Sequence, residues 1–216
     1  MKALLVVDAQ YDFMPVRDED YKNGQGGALA VPEGDEIVPI INRLLPEFEM
    51  VVFTQDWHPK GMNAFASSHP GKKPFDTYEL RGGKVDTLWP DHCLAESYGA
   101  MIHEGIDLGK INKSVYFFKK GLDKTKHPYS GFDGTGLAFF LQERGVDEVY
   151  IVGLALDYCV KDTAIDAVKN NFKTIVVKDG TRAIAKETEK IAIQEFFDNG
   201  IDIIDSNELN LYKLMP

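Results

Sequence analysis

Six short apolar runs recur along the chain, at residues 3–7, 50–54, 114–118, 148–152, 174–177 and 201–204, and they are rich in Val, Ile, Leu and Phe. Runs of this length predict strands, and those without a polar break predict strands covered on both faces. Segments with a helical period lie between many of them. Residues 35–45 place Ile37, Ile40, Ile41, Leu44 and Leu45 on one stripe, and residues 136–144 offer Leu137, Phe140 and Leu141. Residues 158–170 and 186–199 predict two further helices. Gly145, Gly180 and Gly200 stand where helices end or the chain turns. This alternation predicts an α/β fold: a single domain over residues 1–216 with an open, mostly parallel six-stranded sheet and helices on both faces. Two long stretches, 9–33 and 56–100, show no regular pattern. Irregular segments of that length in a compact domain are usually functional.

Composition narrows the class without changing this outline. A chain of 216 residues can bury a sizeable core. No apolar run approaches the length of a membrane span. The opening Met1-Lys2 runs into Ala3-Leu4-Leu5-Val6-Val7 and then an acid, which reads as a first strand and not as a signal peptide. The expected location is therefore the cytoplasm. A net charge of −10 argues against sequence-independent nucleic-acid binding, which needs a basic surface. Two cysteines, Cys93 and Cys159, are too few for a disulfide framework, so both are expected as free thiols.

In an open α/β sheet, ligands bind beyond the carboxyl ends of the strands. The first predicted strand ends at Asp8 and the second is followed by Asp56-Trp57-His58. The third is followed by Lys119-Lys120-Gly121, and the fourth leads through Gly153 to Asp157-Tyr158-Cys159. An acid, an acid–histidine pair, a lysine and a cysteine therefore share one edge. Cys159 stands near a predicted helix N-terminus, where orphan amides and a nearby lysine would depress its pKa and make it a nucleophile. A buried packing thiol is the competing reading. Asp8 reads as a loop acid or as the general acid/base for that thiol. Lys119 and Lys120 cannot both face one site from an extended segment, and position alone does not choose between them. Asp56 and His58, two residues apart, share a face of an extended segment, and His92 is a third candidate ligand. One carboxylate and two imidazoles suit a divalent ion with water in the remaining positions. A loop acid and a half-buried histidine would give the same pattern. Cys93 reads as a packing thiol.

Seven blocks carry a family resemblance. They are Leu5-Val6-Val7-Asp8-Ala9-Gln10-Tyr11-Asp12-Phe13, Gly27-Ala28-Leu29-Ala30-Val31-Pro32 and Thr54-Gln55-Asp56-Trp57-His58-Pro59, then Leu88-Trp89-Pro90-Asp91-His92-Cys93 and Phe118-Lys119-Lys120-Gly121. Tyr129-Ser130-Gly131-Phe132 and the run from Val152 through Cys159 to Val160 complete them. In this order the chain resembles the nicotinamidases and pyrazinamidases of the isochorismatase-like cysteine hydrolase superfamily. The resemblance implies the isochorismatase-like hydrolase fold and hydrolysis of nicotinamide to nicotinic acid and ammonia in NAD salvage, with pyrazinamide also accepted. It implies Asp8, Lys120 and Cys159 as a catalytic triad, choosing Lys120 over Lys119. It implies Asp56, His58 and His92 as ligands of one divalent ion, zinc first, with iron(II) or manganese(II) as alternatives. It also implies a cis Leu154–Ala155 peptide, an oxyanion hole from the amides of Ala155 and Cys159, and Phe13, Trp89 and Tyr129 as walls around the ring. Many family members carry another histidine shortly after the Asp-x-His pair. Here that stretch holds Met62 and Ala64 instead, so water is left to take the place of a fourth protein ligand. Residues 15–25 are more charged than in compact members and receive no role.

Two rival enzymes fit parts of this pattern. A vinyl-ether hydrolase of the isochorismatase type needs neither the cysteine nor the metal. An N-carbamoyl amidase would use Asp8, Lys120 and Cys159 without the metal set. A metal-stabilised binding module is the non-enzyme alternative. The expected partner is a small molecule, with no nucleic acid or membrane, and homo-oligomerisation is left open.

Overall fold

A computed structural model describes residues 1–16, 27–79 and 85–212. In chain order the strands are β1 Lys2–Val7, β2 Met50–Asp56, β3 Thr77–Glu79, β4 Val85–Thr87, β5 Ser114–Lys120, β6 Glu148–Leu154, β7 Lys173–Arg182 and β8 Asp202–Ile204. The α-helices are α1 Ile37–Leu44, α2 Leu137–Glu143, α3 Lys161–Lys169, α4 Lys186–Asp198 and α5 Leu209–Tyr212. Six strands form the main sheet in the order β5-β2-β1-β6-β7-β8, and every pairing in it is parallel. The chain winds outward from β1 through β2 to β5, then returns to the other side of β1 as β6. This reversal opens a crevice between β1 and β6, at the carboxyl ends of the strands.

The side-chain period of two divides the core between the faces of the sheet. Leu4 and Val6 of β1, Val51 and Phe53 of β2, and Tyr150 and Val152 of β6 point to one face, where Ile37, Ile41 and Leu44 of α1 cover them. Ala3, Leu5 and Val7, with Val149 and Ile151, point to the other, under Leu137 of α2, Ala164 of α3 and Phe196 of α4. Burial on both faces explains the near-continuous apolar runs of β1, β2 and β6. The edge strand β5 alternates instead, so Val115, Phe117 and Lys119 are exposed while Lys120 is buried. At Gly153 a side chain is excluded: φ is +118° and a Cβ would lie 1.9 Å from the Val7 carbonyl oxygen.

The strands and helices follow the hydrophobic pattern, with four differences. Strand β7 runs on to Arg182 and holds inside it Gly180, a residue expected at a turn. The stretch 56–100 is not wholly irregular, since β3 and β4 form an antiparallel hairpin within it. Strands β2 and β5 run two residues further than their apolar cores, because Asp56 and Lys120 pair across the sheet in register. The predicted helix 158–170 divides into a π-helical turn, Leu156–Val160, and α3. The charged segment 15–25 lies, but for Pro15 and Val16, outside the described residues. Among the described residues no helix is long and apolar enough to cross a membrane.

Candidate active site

Asp8 follows the last residue of β1 in a left-handed backbone conformation, φ 46°, that turns its side chain back over the sheet edge. Its amide donates to the Thr54 carbonyl at 3.2 Å, and its Oδ1 accepts from the Thr54 hydroxyl at 2.6 Å. Lys120, the last residue of β5, sends its ammonium under the sheet edge, 3.0 Å from Asp8 Oδ2 and 2.6 Å from Asp56 Oδ1. The same Nζ donates to Cys159 Sγ at 3.4 Å and to the Pro128 carbonyl at 3.4 Å. The structure therefore brings Asp8, Lys120 and Cys159 together, all buried. The alternation of β5 separates the two lysines: Lys119 lies outside, its ammonium 3.4 Å above the Trp57 ring.

Burial works against every charge in this cluster, and the neighbours decide the outcome. Desolvation would discharge Lys120, but Asp56 and Asp8 outweigh it and hold the ammonium charged. Burial would raise Asp56, yet Lys120 and His58 keep it well below the ordinary carboxylate range. Asp8 goes the other way: burial and the Asp56 charge exceed the pull of Lys120, so its carboxyl is raised. Cys159 corrects the expectation of a depressed thiol. It does sit in the first turn of the helical segment, a π-helical turn that leads into α3. Burial pushes the thiol well above its usual value, and the Asp8 and Asp56 carboxylates offset Lys120. The resting nucleophile is a neutral thiol with a raised carboxyl beside it.

The second cluster adjoins the first through Asp56. His58 Nδ1–H donates to the Gly121 carbonyl at 3.2 Å, and His92 Nδ1–H donates to the Pro90 carbonyl at 2.7 Å. Those bonds fix both rings with Nε2 turned inward. They face Asp56 Oδ2 at 3.4 Å from His58 and 3.9 Å from His92. Burial, with His58 nearby, lowers His92 to about 4, so its ring is neutral. His58 Nε2 is buried with no hydrogen-bond partner. Two imidazole nitrogens converging on a buried carboxylate form a ligand set for a cation, and carbonyl-oriented imidazoles are how metal-binding histidines are held. The residues present fit a divalent ion. Backbone bonds fix the two ligand segments together, from the His58 amide to the Cys93 carbonyl at 2.9 Å and from the Ala95 amide to the His58 carbonyl at 2.9 Å. Cys93 itself is fully buried, its amide donating to Asp12 Oδ2 at 2.6 Å, in keeping with a packing role.

Both clusters open into one cavity of about 310 Å³. Cys159, Ala155, Asp56, His92 and His127 line it together with Phe13, Trp89, Tyr129, Tyr158 and Ile184. Trp89 Nε1–H donates to the Tyr129 hydroxyl at 3.0 Å, which donates to Asp86 of β4 at 3.0 Å. The Leu154–Ala155 peptide is cis.

Four residues at or behind this site were not singled out in the sequence. Gln10 clamps the Asp56 backbone, its amide donating to the Asp56 carbonyl at 2.8 Å and its oxygen accepting from the Asp56 amide at 2.8 Å. Thr54 orients Asp8 as above. Asp157 accepts from the Ile184 amide at 3.0 Å and from the Ala185 amide at 3.3 Å, seating Ile184 on the cavity wall. The first three lie within the quoted blocks, beside the residues whose types carry the chemistry. His127 lies between blocks and had no sequence signal beyond its residue type.

Comparison with known proteins agrees with this architecture. Residues 2–208 match the isochorismatase domain family. The nicotinamidase of Acinetobacter baylyi is 41% identical over 214 residues, covering 96% of this chain and 94% of that protein. A solved nicotinamidase/pyrazinamidase of Acinetobacter baumannii superposes with a TM-score of 0.86 at 40% identity, covering 96% of this chain and 97% of that one. The pyrazinamidase of Pyrococcus horikoshii, solved in complex with zinc, gives a TM-score of 0.75 at 36% identity over 94% of this chain and 98% of that one. With the fold, the switch-point cavity and these matches in agreement, the chain belongs to the isochorismatase family and is closely related to its nicotinamidases and pyrazinamidases.

Proposed function

We propose that this protein hydrolyses nicotinamide to nicotinic acid and ammonia in NAD salvage, through a thioester on Cys159, and that it also accepts pyrazinamide. One observation carries the reading: one aromatic-walled cavity is lined both by the Cys159 thiol and by Asp56 and His92 of the imidazole cluster. Nicotinamide carries two functional ends to match, a carboxamide for the thiol and a ring nitrogen with a free lone pair for a cation. The rival vinyl-ether and N-carbamoyl readings leave the imidazole cluster without a purpose.

Asp8 accepts the thiol proton as sulfur attacks the carboxamide carbon, and its raised carboxyl makes it a better proton acceptor than an ordinary carboxylate. Lys120 offsets the negative charge gathering on Asp8, Asp56 and the sulfur. The amides of Ala155 and Cys159 hold the oxyanion, each such donor being worth about 3–4 kcal/mol. Asp8 passes its proton to nitrogen as the C–N bond breaks, and ammonia leaves. A water then loses a proton to Asp8 and attacks the thioester carbon; nicotinic acid departs, and the proton returns to sulfur. Phe13, Trp89 and Tyr129 pack on the ring and fix its angle of approach. A divalent cation held by Asp56, His58 and His92, with zinc the first choice, supplies a Lewis-acidic anchor for the ring nitrogen when bound.

Ammonia release from nicotinamide tests the reading. It is expected to fall when the protein is stripped with a chelator and to return on adding zinc; absence of release with any divalent metal would overturn it. A second expectation concerns Gly121, whose φ is +72° and whose added Cβ would lie 2.3 Å from both Cε1 and Nδ1 of His58. Gly121→Ala therefore drives the ring off its carbonyl. Loss of such an orienting bond weakens metal binding about 10–100-fold, and metal content per chain after dialysis against a weak chelator reads it. A full complement of metal in the variant would show that His58 is not held this way.

A further inference from the structure

We infer that His127 is a fourth protein ligand of the same cation, so that the site is built from Asp56 and three imidazoles. The inference rests on the metal site of the proposed function and extends it to a residue on a different segment. The ligand nitrogens of His58, His92 and His127 all lie within 4.8 Å of one another. Ligands at about 2.0–2.1 Å from one ion sit roughly 3.3 to 4.2 Å apart, so a sub-ångström inward movement of the rings suffices.

His127 Nδ1 is buried and has no hydrogen-bond partner. The Trp89 ring lies 6.5 Å from that of His127 between centroids, and its Nε1–H is already committed to Tyr129. A ring nitrogen enclosed beside two other convergent imidazoles, with nothing to satisfy it, is the arrangement a metal ligand leaves. The segment is also anchored: the Pro128 carbonyl, next in the chain, accepts from Lys120 at 3.4 Å. The stretch just after His58 offers no competing imidazole or carboxylate: Met62 and Ala64, both buried, stand there instead. The chain thus supplies from the segment after β5 a ligand that the segment after β2 lacks. A set of one oxygen and three nitrogens favours zinc or iron(II) over manganese(II).

His127 also lines the outer cleft beside the β3–β4 hairpin, together with Tyr78 and Asp86. A ligand there ties residues 121–129, on the rim of the cavity, to the ion.

The test is Zn²⁺ affinity by competition with a chromophoric chelator, and the visible spectrum of the Co²⁺-loaded protein, in wild type, His127→Ala, His127→Gln and His92→Ala. Far-UV circular dichroism and the apo-protein melting temperature check folding in each. The expected result is Zn²⁺ affinity at least tenfold weaker in both His127 variants, with an altered Co²⁺ spectrum and unchanged apo folding. Wild-type affinity and spectrum in the folded His127 variants, with affinity lost in His92→Ala, would overturn the role of His127 alone and leave it a wall of the cavity. Failure of wild type itself to bind Zn²⁺ would sink the metal reading beneath it. Should His127→Ala not fold, the more conservative His127→Gln decides by the same two readouts.

Discussion

Cys159→Ala is expected to lower nicotinamide turnover by about 10⁵-fold or more, the scale on which deleting the nucleophile of a hydrolase acts. The residue is 7% exposed and contributes one sulfur to the core beneath α3 and α4. Its removal costs stability of about 1 kcal/mol, so the variant is expected to fold and to keep its metal. Lys120 loses one contact of four and keeps Asp8, Asp56 and the Pro128 carbonyl. The cavity walls do not depend on the thiol, so nicotinamide should still bind, and calorimetry on the inactive variant gives its affinity directly. Appreciable residual turnover would sink the covalent mechanism. Binding lost together with turnover would assign Cys159 to the architecture of the site instead.

The sheet was legible because its physics is local. β1, β2 and β6 are apolar on both faces, and no other element of this length reads that way. The position of the site followed from the same pattern, since Asp8, Asp56, Lys120 and Cys159 all stand at the carboxyl ends of strands. The choice of Lys120 over Lys119 needed only the alternation of β5 once its register with β2 was known. Other features depended on contacts far apart in the chain. The raised Cys159 thiol comes first from burial and then from the Asp8 and Asp56 carboxylates, more than a hundred residues away, and no motif around the cysteine encodes it. The π-helical turn was invisible to a helical period of 3.6. Gln10 and His127 carry polar groups whose partners are set by tertiary structure: Gln10 meets a backbone 46 residues on, and His127 meets two histidines from separate segments.

The sharpest test of the proton route is Asp8→Asn. Asparagine tolerates the left-handed φ of 46° as well as aspartate does, and its oxygen can still accept from Thr54. The backbone cost is therefore small, and Lys120 keeps its 2.6 Å ion pair with Asp56. What is lost is the proton acceptor. Because the same carboxyl takes the thiol proton, gives it to ammonia and activates water, turnover should fall toward the upper end of the 10²–10⁴-fold range typical of general acid–base groups, about 10⁴. The thiol should respond in the opposite sense. In wild type the Asp8 charge disfavours the thiolate and its hydrogen bond holds the neutral form, both raising the thiol. Asparagine removes the charge, and Lys120 is left with one fewer counter-charge beside it. The thiol pKa then falls, the thiolate fraction at neutral pH rises, and alkylation by iodoacetamide speeds up several-fold while hydrolysis collapses. Cys93 does not confuse the measurement, being fully buried with its own thiol pushed well upward by that burial. Faster alkylation with slower hydrolysis separates the base from the nucleophile in a single variant. Slower rates in both assays, with reduced metal content, would mean that Asp8 holds the site together; unchanged hydrolysis would place the base elsewhere.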